Sequence, residues 1–375
     1  MKRKLGDIFE ISSGGTPSKL HPEYYDGNIP WVKTGDLKWK YLYDVEDYIT
    51  EKGLNNSSAK MYEANTVLIA MYGATIGATS ILKFPACTNQ ACAAFKKNEE
   101  VLPEYLYFFL KSKRKKFIKD GVGGAQPNIS VGYLKNVDWE DRNLEEQFEI
   151  VNVLNNIQYI VEQREQEMQL LDELIKARFV EMFGNPDVNE NNWETYKMEQ
   201  LCDVGSSKRI YQNEQSRIGI PFLRISDLVN RMDTGSKESD LYIPEDRFEE
   251  LKKQGLVPKS GDILLTARGT LGRCYIIQDD DEFYFQDGMI TWLSKYDTKI
   301  TPLYISYLFE MPGFRKQIDS LQAGSTVAYL SISMTKKLDI MLPPIELQNQ
   351  FADFVKQVNK SKVGQIKVVR AWRQK

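Results

Sequence analysis

Apolar residues along this 375-residue chain follow two different periods, and the switch between them divides the sequence. Up to about residue 140 they come in short runs, such as Thr66 to Met71, that end in glycine clusters and are separated by Pro, Asn and Asp. Runs of that length and punctuation predict a β-rich globule, with a short helix from Pro103 to Lys119. From Glu145 to Phe183 the spacing becomes three and four. Ile150, Leu154, Ile157, Val161, Met168, Leu171, Ile175 and Met182 fall on two heptad positions, and Arg164 and Arg178 are the off-type residues of that seam. No proline or glycine interrupts the run before Gly184-Asn185-Pro186, a helix stop. Such a helix is roughly 60 Å long at 1.5 Å per residue, more than one small domain covers. Strand-like runs then resume, with a second short helix expected from Pro302 to Leu321. After Leu342-Pro343-Pro344 a second stripe follows, of Leu347, Phe351, Phe354 and Val358, weakening beyond Gly364.

The two β-rich stretches are copies of each other. Ile29-Pro30-Trp31-Val32-Lys33-Thr34-Gly35-Asp36-Leu37 recurs as Ile220-Pro221-Phe222-Leu223-Arg224-Ile225-Ser226-Asp227-Leu228. Val67 to Gly77 is echoed by Ile263 to Gly272, one residue shorter between the glycines. Pro103-Glu104-Tyr105-Leu106 answers Pro302-Leu303-Tyr304-Ile305, and Ile129-Ser130 through Val137-Asp138 answers Leu330-Ser331 through Leu338-Asp339. Leu144-Glu145-Glu146-Gln147 aligns with Ile345-Glu346-Leu347-Gln348, so each copy ends in a helix. The first four of these matches, in one order at an offset drifting from 191 to 201 residues, indicate duplication with loop insertions, and the helix entry keeps the late offset of 201. The predicted class is α+β: two similar β-rich globules and two long helices that pack as an antiparallel coiled coil.

Composition narrows the chemistry. Hydrophobic residues at 42%, charged at 27% and aromatic at 11% describe a globular chain rather than a disordered or fibrous one. No stretch reaches the roughly 18 apolar residues of a membrane span, and Met1-Lys2-Arg3-Lys4-Leu5-Gly6-Asp7 lacks the apolar core of a signal peptide, which predicts a cytoplasmic protein. Cys87, Cys92, Cys202 and Cys274 form no CxxC pair and read as buried thiols. His21 is the only histidine, which leaves little for a Ser-His-Asp triad or a multi-histidine metal site. Neither catalytic nor metal-ligating residues are expected. With Lys+Arg 49 against Asp+Glu 52, net charge neither advertises nor excludes a nucleic-acid partner. Geometry is more telling: two like globules held apart by stiff helices suit a partner that is itself rigid and periodic, such as duplex DNA. The alternative is that the stripes form an intramolecular core or a homodimer seam.

The order of these segments resembles the specificity (S) subunit of type I restriction-modification systems. The resemblance is carried by Leu5-Gly6-Asp7-Ile8-Phe9-Glu10-Ile11-Ser12-Ser13-Gly14-Gly15-Thr16-Pro17, the Ile-Pro-Trp-Val-Lys-Thr-Gly-Asp segment, the Gly-Ala-Thr-Ile-Gly turn, Leu-Pro-Pro-Ile-Glu-Leu-Gln and Phe183-Gly184-Asn185-Pro186. It departs from the family at Trp139-Glu140-Asp141-Arg142-Asn143, where prolines are usual, and in the shorter final helix. The resemblance implies a first target-recognition domain at 1–143, a central conserved helix at 144–183, a second target-recognition domain at 184–344 and a C-terminal conserved helix at 345–375. It implies a DNA-binding chain with no catalysis and no cofactor of its own. Methyltransferase (M) subunits, and restriction (R) subunits joined through them, would use S-adenosylmethionine, ATP and Mg.

Candidate DNA contacts follow from the repeated positions. Lys33 and Arg224 occupy equivalent positions in the two copies, beside polar Thr34 and Ser226, so each could reach a base edge or phosphate from the same place. Tyr72, Thr75, Arg268, Thr270 and Arg273 flank the glycine turns, where small residues allow close backbone approach. Lys113 and Arg114 belong to the densest basic run, Lys111 to Lys119. Gln126 and Asn128 in one copy, and Ser325, Thr326 and Tyr329 in the other, supply polar groups before the helices. For each, solvated loop, turn or helix-face chemistry is the alternative. Two other function classes stay open: a single-chain nuclease or methyltransferase, for which Asp187, Glu194 and Lys197 are the nearest carboxylate-lysine cluster, and a coiled-coil protein adaptor without DNA.

Overall fold

A computed structural model describes residues 3–121, 128–321 and 328–373. Contacts divide the chain into two compact units, Met1–Gln163 with Arg370–Lys375, and Arg164–Val369. The division falls inside the central helix, because that helix takes part in the core of both units.

In the first unit a five-stranded sheet runs in the order Ile11–Ser13, Cys92–Phe95, Val67–Ala70, Thr79–Leu82, Tyr41–Leu42. Strand Val67–Ala70 is buried on both faces, as a continuous apolar run requires. Its alternation sorts side chains into two cores: Val67 and Ile69 join Phe95, Leu106, Leu110 and Phe117, while Leu68 and Ala70 join Val32, Leu82 and Ala94. A second sheet runs in the order Tyr48–Ile49, Tyr25–Val32, Ala86–Thr88, Met61–Tyr62. Strand Arg3–Lys4 pairs with Asp138–Trp139, which brings the start of the globule beside the start of the helix.

The second unit repeats this plan. Its main sheet runs Asp203–Gly205, Ile290–Ser294, Ile263–Thr266, Cys274–Ile276, its smaller one Tyr242–Ile243, Ile220–Leu223, Tyr284–Phe285, and Thr195–Lys197 pairs with Asp339–Met341. Two differences from the sequence expectation stand out. The early part of this copy is less purely strand, holding helices Ile225–Thr234 and Glu245–Lys253; the first ends at Gly235, whose φ of +71° is the left-handed stop that favours glycine. The helices expected at 103–119 and 302–321 are each split, into Pro103–Ser112 and Arg114–Asp120, and into Pro302–Glu310 and Pro312–Ser320. In the second pair the break falls at Met311, which is extended because the residue before a proline is pushed out of the helical region.

The central helix spans Leu144–Phe183 without a break. Asn143 caps it: its Oδ1 accepts from Glu146 N at 2.9 Å and its own N donates to Glu146 Oε2 at 3.0 Å. The C-terminal helix spans Ile345–Arg373. Within the second unit the two run antiparallel. Phe351 packs edge-on against Phe179 and Phe183, Arg178 lies over the Phe354 ring, and Lys362 pairs with Asp172. Ile175, Phe351 and Val358 are buried there, and Leu171 and Phe354 are packed against the same core.

The predicted seam departs at one position in the first unit. Ile157 is 37% exposed, and half-buried Gln158 takes the inward position. The buried spacing there is Gln147, Val151, Leu154, Gln158 and Val161, so the apolar reading fails at Ile157 and holds at Leu154 and Val161. Ile150 and Leu154 pack on the first globule's core and Val161 is buried; Met168, in the second unit, is half-buried.

One residue type ties each helix to its globule. Gln147 and Gln348 are each 1% exposed. The Gln147 carbonyl accepts from Leu102 N at 2.9 Å, and its amide donates to Glu100 O at 2.8 Å and Arg142 O at 2.9 Å. Gln348 does the same with Thr301 N at 2.9 Å, Lys299 O at 2.9 Å and Pro343 O at 2.9 Å. A leucine at position 147 leaves those backbone groups buried without partners. Gln147→Leu is therefore expected to destabilise the protein by about 2–4 kcal/mol, while Phe148→Ala, at an exposed neighbour, changes stability by less than about 0.5 kcal/mol. Urea unfolding of the two variants checks the contrast.

Candidate nucleic-acid interface

Each main sheet ends in a glycine turn. In the first copy Gly73 (φ +63°) and Gly77 (φ +76°) bracket a short 3-10 segment, and in the second Gly269 (φ +69°) and Gly272 (φ +72°) bracket a turn one residue tighter. All four occupy the left-handed region, where a side chain adds strain. A second segment is stitched to each turn in the same way: Ile129 N donates to Met71 O at 2.9 Å, and Leu330 N to Ala267 O at 3.0 Å. Immediately beside those bonds Tyr72 bridges to Asn128, and Arg268 bridges to Tyr329.

The structure thus brings Tyr72, Thr75 and Asn128 together in one copy, and Arg268, Thr270 and Tyr329 in the other. Tyr72 is 43% exposed and Asn128 is exposed; Thr75 donates its hydroxyl to Tyr72 O at 3.1 Å. Arg268 and Thr270 are exposed, and the Arg268 guanidinium lies 5.2 Å from the centre of the Tyr329 ring. That stack holds a flat cation without neutralising it. Arg273 follows the turn but points elsewhere, donating to Asp233 Oδ1 at 2.6 Å.

Lys33 with Thr34, and Arg224 with Ser226, lie on the other sheet of each copy, where strands Tyr25–Val32 and Ile220–Leu223 end. Their recurrence has a local cause that the sequence reading did not assign. Lys33 N donates to Asp36 Oδ2 at 2.7 Å and Arg224 N to Asp227 Oδ2 at 2.9 Å, so both residues precede a helical turn capped by the aspartate three positions on. Both side chains are ion-paired, Lys33 with Asp47, and Arg224 with Asp227 through Nε at 2.9 Å and with Asp240 at 3.4 Å. The hydrogen bonds that Arg224 donates to Asp227 raise the Arg224 pKa above its ordinary value, and burial raises that of Asp36. Aspartate at the third position after each base was the readable signal.

Lys113 lies over the Phe109 ring at 5.3 Å, and Arg114 donates through Nε to Ile76 O at 3.3 Å, so the head of this basic run is used within the globule. Gln126, Ser325 and Thr326 lie outside the described residues. The carboxylate-lysine cluster does not form: Asp187 pairs with Lys316, Lys197 with Asp339 at 2.6 Å, and Glu194 accepts from Tyr196 at 2.6 Å. Among the described residues, no group of three or more His, Cys, Asp or Glu is placed to hold a metal, and no helix is long and apolar enough to cross a membrane. Burial pushes the Cys87 and Cys202 thiols up to about 12, and those of Cys92 and Cys274 also upward, which keeps all four protonated.

Two globules built alike, each presenting one glycine turn with polar side chains and each ending in a long helix, define a duplicated recognition protein. The chain belongs to the family of the type I restriction modification DNA specificity domain, which matches residues 1–171 and again 190–369. It is 27% identical over 379 residues to the type I restriction enzyme MjaIX specificity subunit of Methanocaldococcus jannaschii, covering 94% of this chain and 85% of that protein. It is 30% identical to the EcoR124I/EcoR124II specificity subunit of Escherichia coli over 41% of this chain and 39% of that one. Among solved structures, a chain from work on complex assembly and conformational transition of the type I R-M system superposes with a TM-score of 0.60 at 15% identity, covering 100% of this chain and 94% of that one. The type I S subunit of M. genitalium gives 0.51 at 14% identity, covering 99% and 92%.

Of the turn side chains, Arg268 is an exposed guanidinium with no ion pair among the described contacts. Arg268→Ala is expected to lower duplex DNA affinity by about tenfold, the worth of one good arginine contact. Fluorescence anisotropy titrations at several salt concentrations check this; unchanged affinity removes Arg268 from the interface.

Proposed function

We propose that this chain is the DNA-specificity subunit of a type I restriction-modification complex, in which each globule reads one half of a bipartite target and the helices set the spacing between the halves. The observation that supports it most is duplication at the level of the site: the family match occurs in both halves, and both halves carry a glycine turn stitched to a second segment at the same place. A single-copy enzyme has no use for two such turns.

The readers divide into two kinds. Tyr72, Thr75, Asn128, Arg268, Thr270 and Tyr329 gather around the turns and suit base edges and stacking. Lys33, Arg224 and Arg273 are ion-paired in the free chain, so a phosphate engaging one of them takes the place of a carboxylate; Thr34 and Ser226 lie in the helical turns beside the first two, and Lys113 and Arg114 are used within the globule. Gln126, Ser325 and Thr326 complete the polar set by sequence alone. Outer helix surfaces would dock methyltransferase subunits, through which restriction subunits join. The catalytic activities, with S-adenosylmethionine, ATP and Mg, belong to those partners. Its DNA substrate and partners put it in the cytoplasm.

The spacing claim is directly testable. Adding one heptad to each long helix lengthens the pair by about 10 Å, close to three base-pair steps of duplex. Methylation by the assembled complex is expected to move to targets whose halves lie about three base pairs further apart, with the half-site sequences retained. An unchanged spacer contradicts the proposal.

A further inference from the structure

The carbonyl just before the second glycine of each turn is held by an arginine from outside the turn. In the second copy Arg315 brings both terminal nitrogens to Leu271 O, each at 3.0 Å. In the first, Arg114 reaches Ile76 O through Nε at 3.3 Å. Leu271 and Ile76 immediately precede Gly272 and Gly77, and Arg315 and Arg114 stand at equivalent positions of the repeat, the same 201-residue offset that relates Gln348 to Gln147. The arginine recurs although the turn it holds is one residue shorter in the second copy.

The supports of these arginines are anchored in the cores. Arg315 lies on helix Pro312–Ser320, whose Phe314 and Ile318 are buried in the second unit's core, and Arg114 opens helix Arg114–Asp120, anchored by fully buried Phe117. The fit is close: a Cβ on Gly77 would stand 2.7 Å from Arg114 Cγ, and one on Gly272 would meet Ile318 and Phe309 at 3.2 and 3.3 Å. The turns themselves are built on left-handed glycines, the residues with the most backbone freedom to lose. A turn of that kind, tied only at its ends, samples several orientations, whereas reading a base edge demands side chains placed to within a fraction of an ångström. An arginine fork is suited to such a tie, because its planar donors fix direction as well as distance.

We propose that Arg315 and Arg114 are positioning residues for DNA recognition: each clips its glycine turn to a core helix and so fixes the orientation in which Arg268 and Thr270, or Tyr72 and Thr75, meet the base pairs. This rests on the reading that the glycine turns face DNA. The clip makes these two arginines determinants of base selectivity in their own half-site rather than phosphate contacts, in contrast to the rest of the basic run around Arg114.

The test uses the full chain assembled with its methyltransferase subunits and a sequence-randomised duplex pool, sequenced after selection. Arg315→Met is expected to flatten base preference by about tenfold at positions within one half-site, and Arg114→Met to do so in the other half-site, with the spacer retained. Arg268→Ala is expected to relax the same half-site as Arg315→Met. For Arg315→Met, the slope of log affinity against log salt on non-selected duplex is expected to stay at the wild-type value. A slope shallower by about one, with base preference intact, makes Arg315 a phosphate contact and overturns the clip. If Arg268→Ala relaxes a half-site and Arg315→Met does not, the clip fails while the turn reading stands; if Arg268→Ala leaves base preference untouched, the turn reading fails and the clip with it. Should Arg315→Met not fold, Arg315→Lys keeps the charge with a single flexible donor. It is expected to relax the same half-site by about threefold, and full wild-type selectivity in that variant overturns the proposal.

Discussion

A side-chain amide withdrawn from water must find partners for both its N–H and C=O groups, and the architecture of this protein depends on that requirement being met twice. Gln147 and Gln348 are nearly inaccessible, and each binds one backbone N–H and two backbone carbonyls drawn from its own globule and from the residues leading into its helix. Because an unsatisfied buried amide is costly, the first turn of each helix has one favourable seat. Everything that follows along Leu144–Phe183 and Ile345–Arg373 inherits its direction from those seats. In the second unit that direction is consolidated by the aromatic cluster of Phe179, Phe183, Tyr304 and Phe351.

The same economy governs the polar surface. Bases that sequence alone marks as free to meet DNA are largely engaged at home, Lys33 and Arg224 by capping aspartates and their neighbours, Arg273 by Asp233. What stays open is concentrated at the glycine turns, where Tyr72 with Asn128 and Arg268 with Tyr329 stand on matching frames but differ in chemistry. Equal scaffolds with unequal side chains suit a protein whose two halves recognise different short sequences. Under the proposed function, fold and specificity are carried by different residues: buried apolar runs and glutamines for the first, a few exposed side chains on a glycine turn for the second.

Much of the fold was legible in the sequence because it rests on periodicity and repetition. The drifting offset between Ile29 and Ile220 and between Gln147 and Gln348 exposed the duplication, and uninterrupted three-and-four spacing up to Gly184 exposed the helix. The helix face was misjudged near Ile157 because the inward position is filled by Gln158, an amide that no apolar count selects. The helix at Ile225–Thr234 was also missed, since the matching segment in the first copy, Thr34–Asp36, makes only one 3-10 turn. At the site, the glycine turns were readable, but the pairing of Arg268 with Tyr329 and of Arg315 with Leu271 O joins residues far apart in the chain. Contacts of that range follow from sheet register and helix docking, which local pattern does not encode.

The central claim is that two separate readers act at a set distance on one duplex. Mapping methylated bases in DNA from cells that express this chain together with its methyltransferase subunits tests it most directly. The account predicts one motif made of two short specified blocks separated by a gap of fixed length and free sequence. A single uninterrupted motif, or two blocks methylated at many different separations, would contradict it.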